Sequence, residues 1–170
     1  VESQQWQPIK VLDVTEAGDF IEVPISWSDV DRQGHVNNVS LAGYLQEARI
    51  LATTSWSPGM RRAGNYLWVV VRQDIRYRRQ VLPTQRSCRV HTALTRLGTS
   101  SMTLAGSIAT EEGSALDAAT VLVCVDPKTG ASVPIDDQTR QALSAYLVTV
   151  CSTFRLATRP PDRVRLTPSY

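Results

Sequence analysis

Two carboxylates, a histidine and three side-chain amides are packed into ten residues, Asp29-Val30-Asp31-Arg32-Gln33-Gly34-His35-Val36-Asn37-Asn38. A helical pattern follows at once, with Leu41, Tyr44, Leu45, Ala48 and Leu51 at helical spacing. The first turn of a helix leaves backbone N–H groups without intrahelical partners. The helix dipole adds partial positive charge at the same place. A carboxylate beside such a turn can activate water or attack an electrophile. The free N–H groups can hold the oxyanion that forms.

These residues need a strand before them and a helix behind them. Phe20 to Trp27 reads as a strand with Ile21, Val23, Ile25 and Trp27 on one face, and Pro24 puts it at an edge or a bulge. Asn37, Asn38 and Ser40 are candidate helix caps, and Ser57-Pro58-Gly59 stops the helix. Gly43 offers a place where a sheet approaches the helix closely. From Tyr66 the pattern turns to strands: Leu67–Val71 leading into Asp74–Arg78, then Ser87–Leu97, Ser101–Thr110 and Ser114–Val125. Short turns at Gly98 and Glu111-Glu112-Gly113 predict an antiparallel meander. A second short helix is expected within Pro134–Val150, capped by Asp136 or Asp137. The expected organisation is a lead-in over 1–19, one domain over 20–150 and an extension over 151–170. Within the lead-in, Val1–Pro8 reads as a frayed terminus and Ile9–Val14 as a short strand or irregular segment.

The chain's 170 residues suit one domain with a full core. A net charge of +2, from 18 basic and 16 acidic residues, argues against a nucleic-acid binder. Cys88, Cys124 and Cys151 are odd in number and widely spaced, which predicts reduced thiols in a cytoplasmic protein. With only two histidines, no metal site is expected. No apolar run is long enough to span a membrane.

The run from Asp29 to Asn38, followed by Tyr44 and Glu47-Ala48-Arg49, resembles the hotdog-fold thioesterases of the 4-hydroxybenzoyl-CoA thioesterase-like group. Asp74-Ile75-Arg76-Tyr77, the hairpin Arg96 to Leu104 and Val121 to Asp126 resemble later parts of the same family. Leu41 stands where the family often has a tyrosine, which removes one polar contact from the expected pocket. The resemblance implies an α+β hotdog fold, one long central helix wrapped by an antiparallel sheet of five or six strands. It also implies a homodimer or a dimer-of-dimers tetramer with its active sites between subunits. The implied reaction is hydrolysis of an acyl-CoA, with coenzyme A as part of the substrate and no further cofactor. A thioester on an acyl carrier protein, or a non-enzymatic acyl-binding role, stands as the alternative.

On that resemblance Asp31 matches the catalytic carboxylate, as general base or nucleophile. The Asn38 amide matches the oxyanion donor, with Val36 and Asn37 as neighbours. Gly34 lets the backbone bend beside the substrate. His35 either polarises water or braces the loop. For the substrate and its coenzyme A arm the candidates are Arg76, Arg78, Arg79, Arg96, Ser100, Ser101 and Tyr44, with Arg61 and Arg62 behind them. Trp56, Tyr66 and Trp68 line an acyl channel or pack in the core, and Trp68 is expected in the core.

Overall fold

The computed structural model describes residues 18–58, 66–84, 86–110 and 113–148. The expectations for Val1–Pro8, Ile9–Val14, Arg61, Arg62, Glu111, Glu112 and the extension over 151–170, Cys151 included, lie outside them.

The chain runs β1 (Asp19–Pro24), a 3-10 turn (Trp27–Asp29), α1 (Asn38–Trp56), β2 (Leu67–Tyr77), β3 (Ser87–Leu97), β4 (Ser101–Thr110), β5 (Gly113–Val125) and α2 (Asp137–Ser144). The strands make one antiparallel sheet in the order β1-β3-β4-β5-β2. Only β3-β4-β5 is a meander. The expected run of four is broken because the 78–86 link carries the chain from one edge of the sheet to β3. Val81, in that link, is fully buried, and its carbonyl accepts the Val36 N–H at 2.8 Å. The crossover is thereby tied to the polar loop.

α1 has 19 residues and packs on β1, β3 and β4. Leu41, Tyr44, Leu45 and Ala48 meet Val23, Cys88, Val90, Ile108 and Leu116 in the main core. Ala52 and Trp56 meet Leu94, Met102, Leu104 and Leu143 in a second cluster. The close approach of helix and sheet is not at Gly43, which is exposed with open space around it. It is at Gly106 on β4, where an added Cβ would stand 3.0 Å from the Leu45 Cδ2. Gly43 faces solvent because the helix's buried stripe runs through Leu41, Tyr44, Leu45 and Ala48 instead.

β1 ends at Pro24, sooner than the alternation suggested. Ser26 and Asp29 form a capping box that turns the chain: Ser26 N–H donates to Asp29 Oδ2 at 2.8 Å. Trp27 therefore leaves the strand's inner face and is 86% exposed. The same Asp29 oxygen accepts the Tyr44 hydroxyl at 2.6 Å, and the Asp29 carbonyl accepts the Asn37 N–H at 2.7 Å. The Tyr44 hydroxyl, then the Ser26 amide, hold the Asp29 carboxyl below its ordinary range, against a smaller opposing effect of burial. Burial first, and the Asp29 carboxylate second, push the Tyr44 phenol up.

Two outcomes are expected. Gly106→Val should force Leu45 out of its place and cost about 1–3 kcal/mol in chemical denaturation; an unchanged midpoint would mean that the sheet yields. Tyr44→Phe should cost about 1 kcal/mol at neutral pH, because the lost bond is charge-assisted but only part-buried. A carboxylate with a depressed folded pKa stabilises above its unfolded pKa and loses that contribution as pH falls through the folded value. The gap between wild type and Tyr44→Phe should therefore close on acidification below the usual carboxylate range. A gap that stays constant in urea titrations down through that range would contradict the latch.

Candidate active site

The loop from Val30 to Val36 closes on itself through a bridge between those two residues. Asp31 N–H donates to the His35 carbonyl at 2.8 Å, and Gly34 N–H donates to the Asp31 carbonyl at 3.1 Å. The Asp31 Oδ1 accepts the Gln33 N–H at 2.8 Å and the His35 N–H at 3.3 Å. Short polar side chains commonly hold a turn in this way. The second oxygen, Oδ2, accepts no hydrogen bond among the described residues, and the side chain is half-buried. One oxygen thus fixes the carboxylate while the other is open. Gly34 has φ +80°, a left-handed conformation that lets the loop return.

α1 begins two residues after this loop closes. Asn37 is its N-cap, with Oδ1 accepting the Val39 N–H at 2.8 Å. The Leu41 N–H reaches the Asn37 carbonyl at 3.0 Å. The Val36 and Asn37 N–H groups are engaged by Val81 and Asp29. Among the described residues the N–H groups of Asn38 and Ser40 have no acceptor. Of the donors weighed from sequence, only Asn38 is left free for an oxyanion. Tyr77, at the end of β2, donates its hydroxyl to the Asn38 carbonyl at 3.1 Å and so steadies this first residue of the helix. Sequence reasoning missed Tyr77, because only the β2–β5 pairing carries that strand end to the helix start.

The remaining candidates fall into separate places. The His35 ring is half-buried and makes no hydrogen bond among the described residues. Its backbone braces the loop, whereas a ring contact was the expected brace. Tyr44 is buried and its hydroxyl is committed to Asp29, so it holds the loop to the helix and presents no polar group outward. Arg76, Arg78 and Arg79 lie at the loop's end of the sheet. There Arg78 pairs with Asp117, and the Arg78 and Arg79 N–H groups share the Ala115 carbonyl at 2.8 and 3.1 Å. Arg96, Ser100 and Ser101 lie at the other end, beside Thr103, Met102 and Val123. By register Arg76 is level with His91, and Arg96 lies five residues farther along β3, about 17 Å in the strand direction. Within one chain they do not converge.

Trp56 and Tyr66 serve the core rather than a channel. Trp56 donates its indole N–H to Asp19 at 2.6 Å and stacks on Tyr146 at 5.4 Å. Tyr66 donates to Asp136, the cap of α2, at 2.7 Å. Trp68 packs edge-on against Tyr66 at 6.2 Å. A cleft lined by Gly18, Asp19, Trp56 and 145–148 lies at the far end of α1 from Asp31. Cys88 is buried, and burial raises its thiol to about 11, with the charges of Glu22 and Asp29 adding to the effect; it is no nucleophile at neutral pH. No three metal-binding side chains come together among the described residues.

Known proteins agree with this architecture. The sequence profile of the thioesterase-like superfamily matches residues 25–143. The uncharacterized protein YsmA of Bacillus subtilis is 29% identical over 141 residues, covering 82% of this chain and 90% of YsmA. The crystal structure of the PA2801 protein of Pseudomonas aeruginosa is 30% identical, covers 73% of this chain and 96% of its own, and superposes with a TM-score of 0.62. A Thermus thermophilus thioesterase, solved with coenzyme A and zinc, is 28% identical over 75% of this chain and 92% of its own, with a TM-score of 0.64. A five-stranded antiparallel sheet with two helices, a carboxylate beside the start of the longer helix, and these matches converge on one assignment: the chain belongs to the thioesterase-like superfamily and is a thioester hydrolase.

Proposed function

We propose that the chain hydrolyses acyl-CoA thioesters, with Asp31 as the carboxylate and the Asn38 N–H as oxyanion donor. The observation that carries this reading is the open Asp31 Oδ2 held next to the first turn of α1, where the Asn38 N–H is unpaired. As general base, Asp31 takes a proton from water while the water oxygen bonds to the thioester carbon. The carbonyl oxygen gains the displaced electron pair and is met by the Asn38 N–H, supported by the helix dipole. The C–S bond then breaks, the pair returns to the carbonyl, and the thiolate leaves to be protonated. As nucleophile, Asp31 would form an anhydride that water opens. Gly34 serves this site through its backbone, whose φ of +80° lets the loop return beside the carboxylate.

Substrate is held between two copies of the chain in this reading. The hotdog arrangement, a sheet curled about α1, belongs to the proposal and is supported by the packing of the helix on one face. β2 is an edge strand, and it exposes Leu67, Val69, Val70 and Val71 at 54, 36, 44 and 57%. An uncovered apolar edge of this kind is a template for pairing. Antiparallel pairing of two β2 strands sets the Leu67 end of one copy beside the Tyr77 end of the other. Arg96, Ser100 and Ser101 of a second copy would then lie on the same side as Arg76, Arg78 and Arg79, where phosphates of the coenzyme A arm can meet them. A cytoplasmic setting fits the free, buried thiols of Cys88 and Cys124. Among the described residues no helix is long and apolar enough to cross a membrane.

Thiol release from acyl-CoA should be clear in wild type. It should fall on the order of 100-fold or more in Asp31→Asn, which keeps an acceptor for the Gln33 N–H and so keeps the turn. Equal rates in the two proteins would remove Asp31 from the mechanism. Turnover of acyl carrier protein thioesters alone would replace coenzyme A with the carrier. Light scattering should show an even-numbered oligomer that Val69→Lys with Val71→Lys disperses, with loss of activity; a fully active monomer would end the shared-site model.

A further inference from the structure

The proposed oxyanion donor is one N–H in a run of peptide groups that are gripped in turn. The Val36 N–H donates to the Val81 carbonyl at 2.8 Å, and the Asn37 N–H to the Asp29 carbonyl at 2.7 Å. The Asn37 carbonyl accepts the Leu41 N–H at 3.0 Å. The next peptide unit, which joins Asn38 to Val39, is held at both ends. Its N–H donates to the Asn37 Oδ1 at 2.8 Å, and its carbonyl accepts the Tyr77 hydroxyl at 3.1 Å. Peptide units are planar, so holding the two units that meet at the Asn38 Cα fixes where the Asn38 N–H points.

Most of these bonds are local. Asn37 and Leu41 belong to the helix start and move with it. Tyr77 comes from 39 residues away, at the end of β2. It pairs with Leu116 and follows Ile75 by two residues, and both of those pack in the main core. Tyr77 therefore shares the helix-facing side of the sheet. The chain is anchored just beyond it, where the Arg78 and Arg79 N–H groups share the Ala115 carbonyl. α1 packs mainly on β1, β3 and β4, so the Tyr77 hydroxyl joins a further strand, at the edge, to the first residue of the helix. Val81, four residues on, holds Val36. The one stretch 77–81 thus grips the chain on both sides of the Asn37–Asn38 peptide. Tyr77 is 46% exposed. A hydrogen bond so open to water adds little to folding, because water replaces it when it is lost. What water does not replace is the fixed direction.

We infer that Tyr77 is a positioning residue for thioester hydrolysis: by holding the Asn38 carbonyl, its hydroxyl aims the Asn38 N–H at the oxyanion. The inference rests on the proposed site at Asp31 and Asn38 and deepens it. Tyr77 acts through Asn38 and not on the substrate. Aim matters most where charge develops, so losing it weakens the transition state more than the bound thioester.

The test measures thiol release from acetyl-, octanoyl- and benzoyl-CoA by wild type, Tyr77→Phe and Asp31→Asn. Tyr77→Phe keeps the ring and removes only the hydroxyl. Its kcat should fall about tenfold or more, with KM within about twofold of wild type. The urea midpoint and the oligomer should not change. An S-alkyl-CoA, which has no carbonyl, should inhibit wild type and Tyr77→Phe equally. In proton–nitrogen correlation spectra the Asn38 and Val39 amides should move, and the Gln33 amide on Asp31 should not. A wild-type kcat in Tyr77→Phe, or a change in KM alone, overturns the inference. So does a fall in kcat that comes with a lower midpoint, a lost oligomer or weaker S-alkyl-CoA inhibition, since a general brace would do the same. If Asp31→Asn loses activity and Tyr77→Phe does not, only the inference falls. If wild type hydrolyses no acyl-CoA, the coenzyme A reading falls and the spectra decide. Displaced Asn38 and Val39 amides then uphold the hold of Tyr77 on the donor, and unmoved ones overturn it.

Discussion

The molecule depends on how one loop is fastened to the start of one helix. Asp29 does most of it. Its carboxylate closes the 3-10 turn on the Ser26 amide and grips Tyr44 one and a half turns into α1, while its carbonyl holds the Asn37 amide. Because three bonds from one residue join the end of β1, the loop and the helix, Asp31 has no freedom to drift from the helix start. Val36, bound to Val81, then links the same loop to the crossover between sheet edges. The geometry of the site is inherited from the core through these few bonds. That is the arrangement a carboxylate needs if it is to meet a bound carbonyl at a fixed distance.

Much of this was legible in the sequence. Helix signals are local: of the caps weighed, Asn37 starts α1 and Asp136 starts α2, and α1 ends at Trp56, before the Ser57-Pro58 stop. Strand alternation located β2 to β5 to within a residue or two. What failed were features set by distant parts of the chain. Trp27 alternates correctly with Ile21, Val23 and Ile25, yet the Ser26–Asp29 capping box removes it from the strand. Gly43 looks like the close approach from helix composition, but the contact is made by Gly106, whose partner Leu45 is 61 residues away. The position of β2 beyond β5 could not be read from the short turns, since the link that places it has no periodic pattern.

The sequence was also legible in parts of the site and opaque in others. Asp31, Gly34 and Asn38 lie within eight residues, and local turn chemistry is enough to bring them together. The arginines come from opposite ends of the strands, so which of them lie together depends on register, which a sequence does not display. Tyr44 carried the family's pattern but not an outward role, because its hydroxyl had a nearer acceptor. A tyrosine's side chain is decided by which acceptor it finds first, and only coordinates reveal that.

The strands of the sheet are used differently, and this follows from where the helix lies. Over β1, β3 and β4 the helix side is filled by Leu41, Leu45 and Ala48 against Val23, Val90 and Ile108. On β5 the same side is buried through Leu116, Ala118, Thr120 and Leu122, and Thr120 accepts a hydrogen bond from Gln73 of β2 at 3.3 Å. What stays exposed is the outer edge, where β2 presents Leu67, Val69, Val70 and Val71, so the sheet is packed from β1 to β5 and bare only at its last strand.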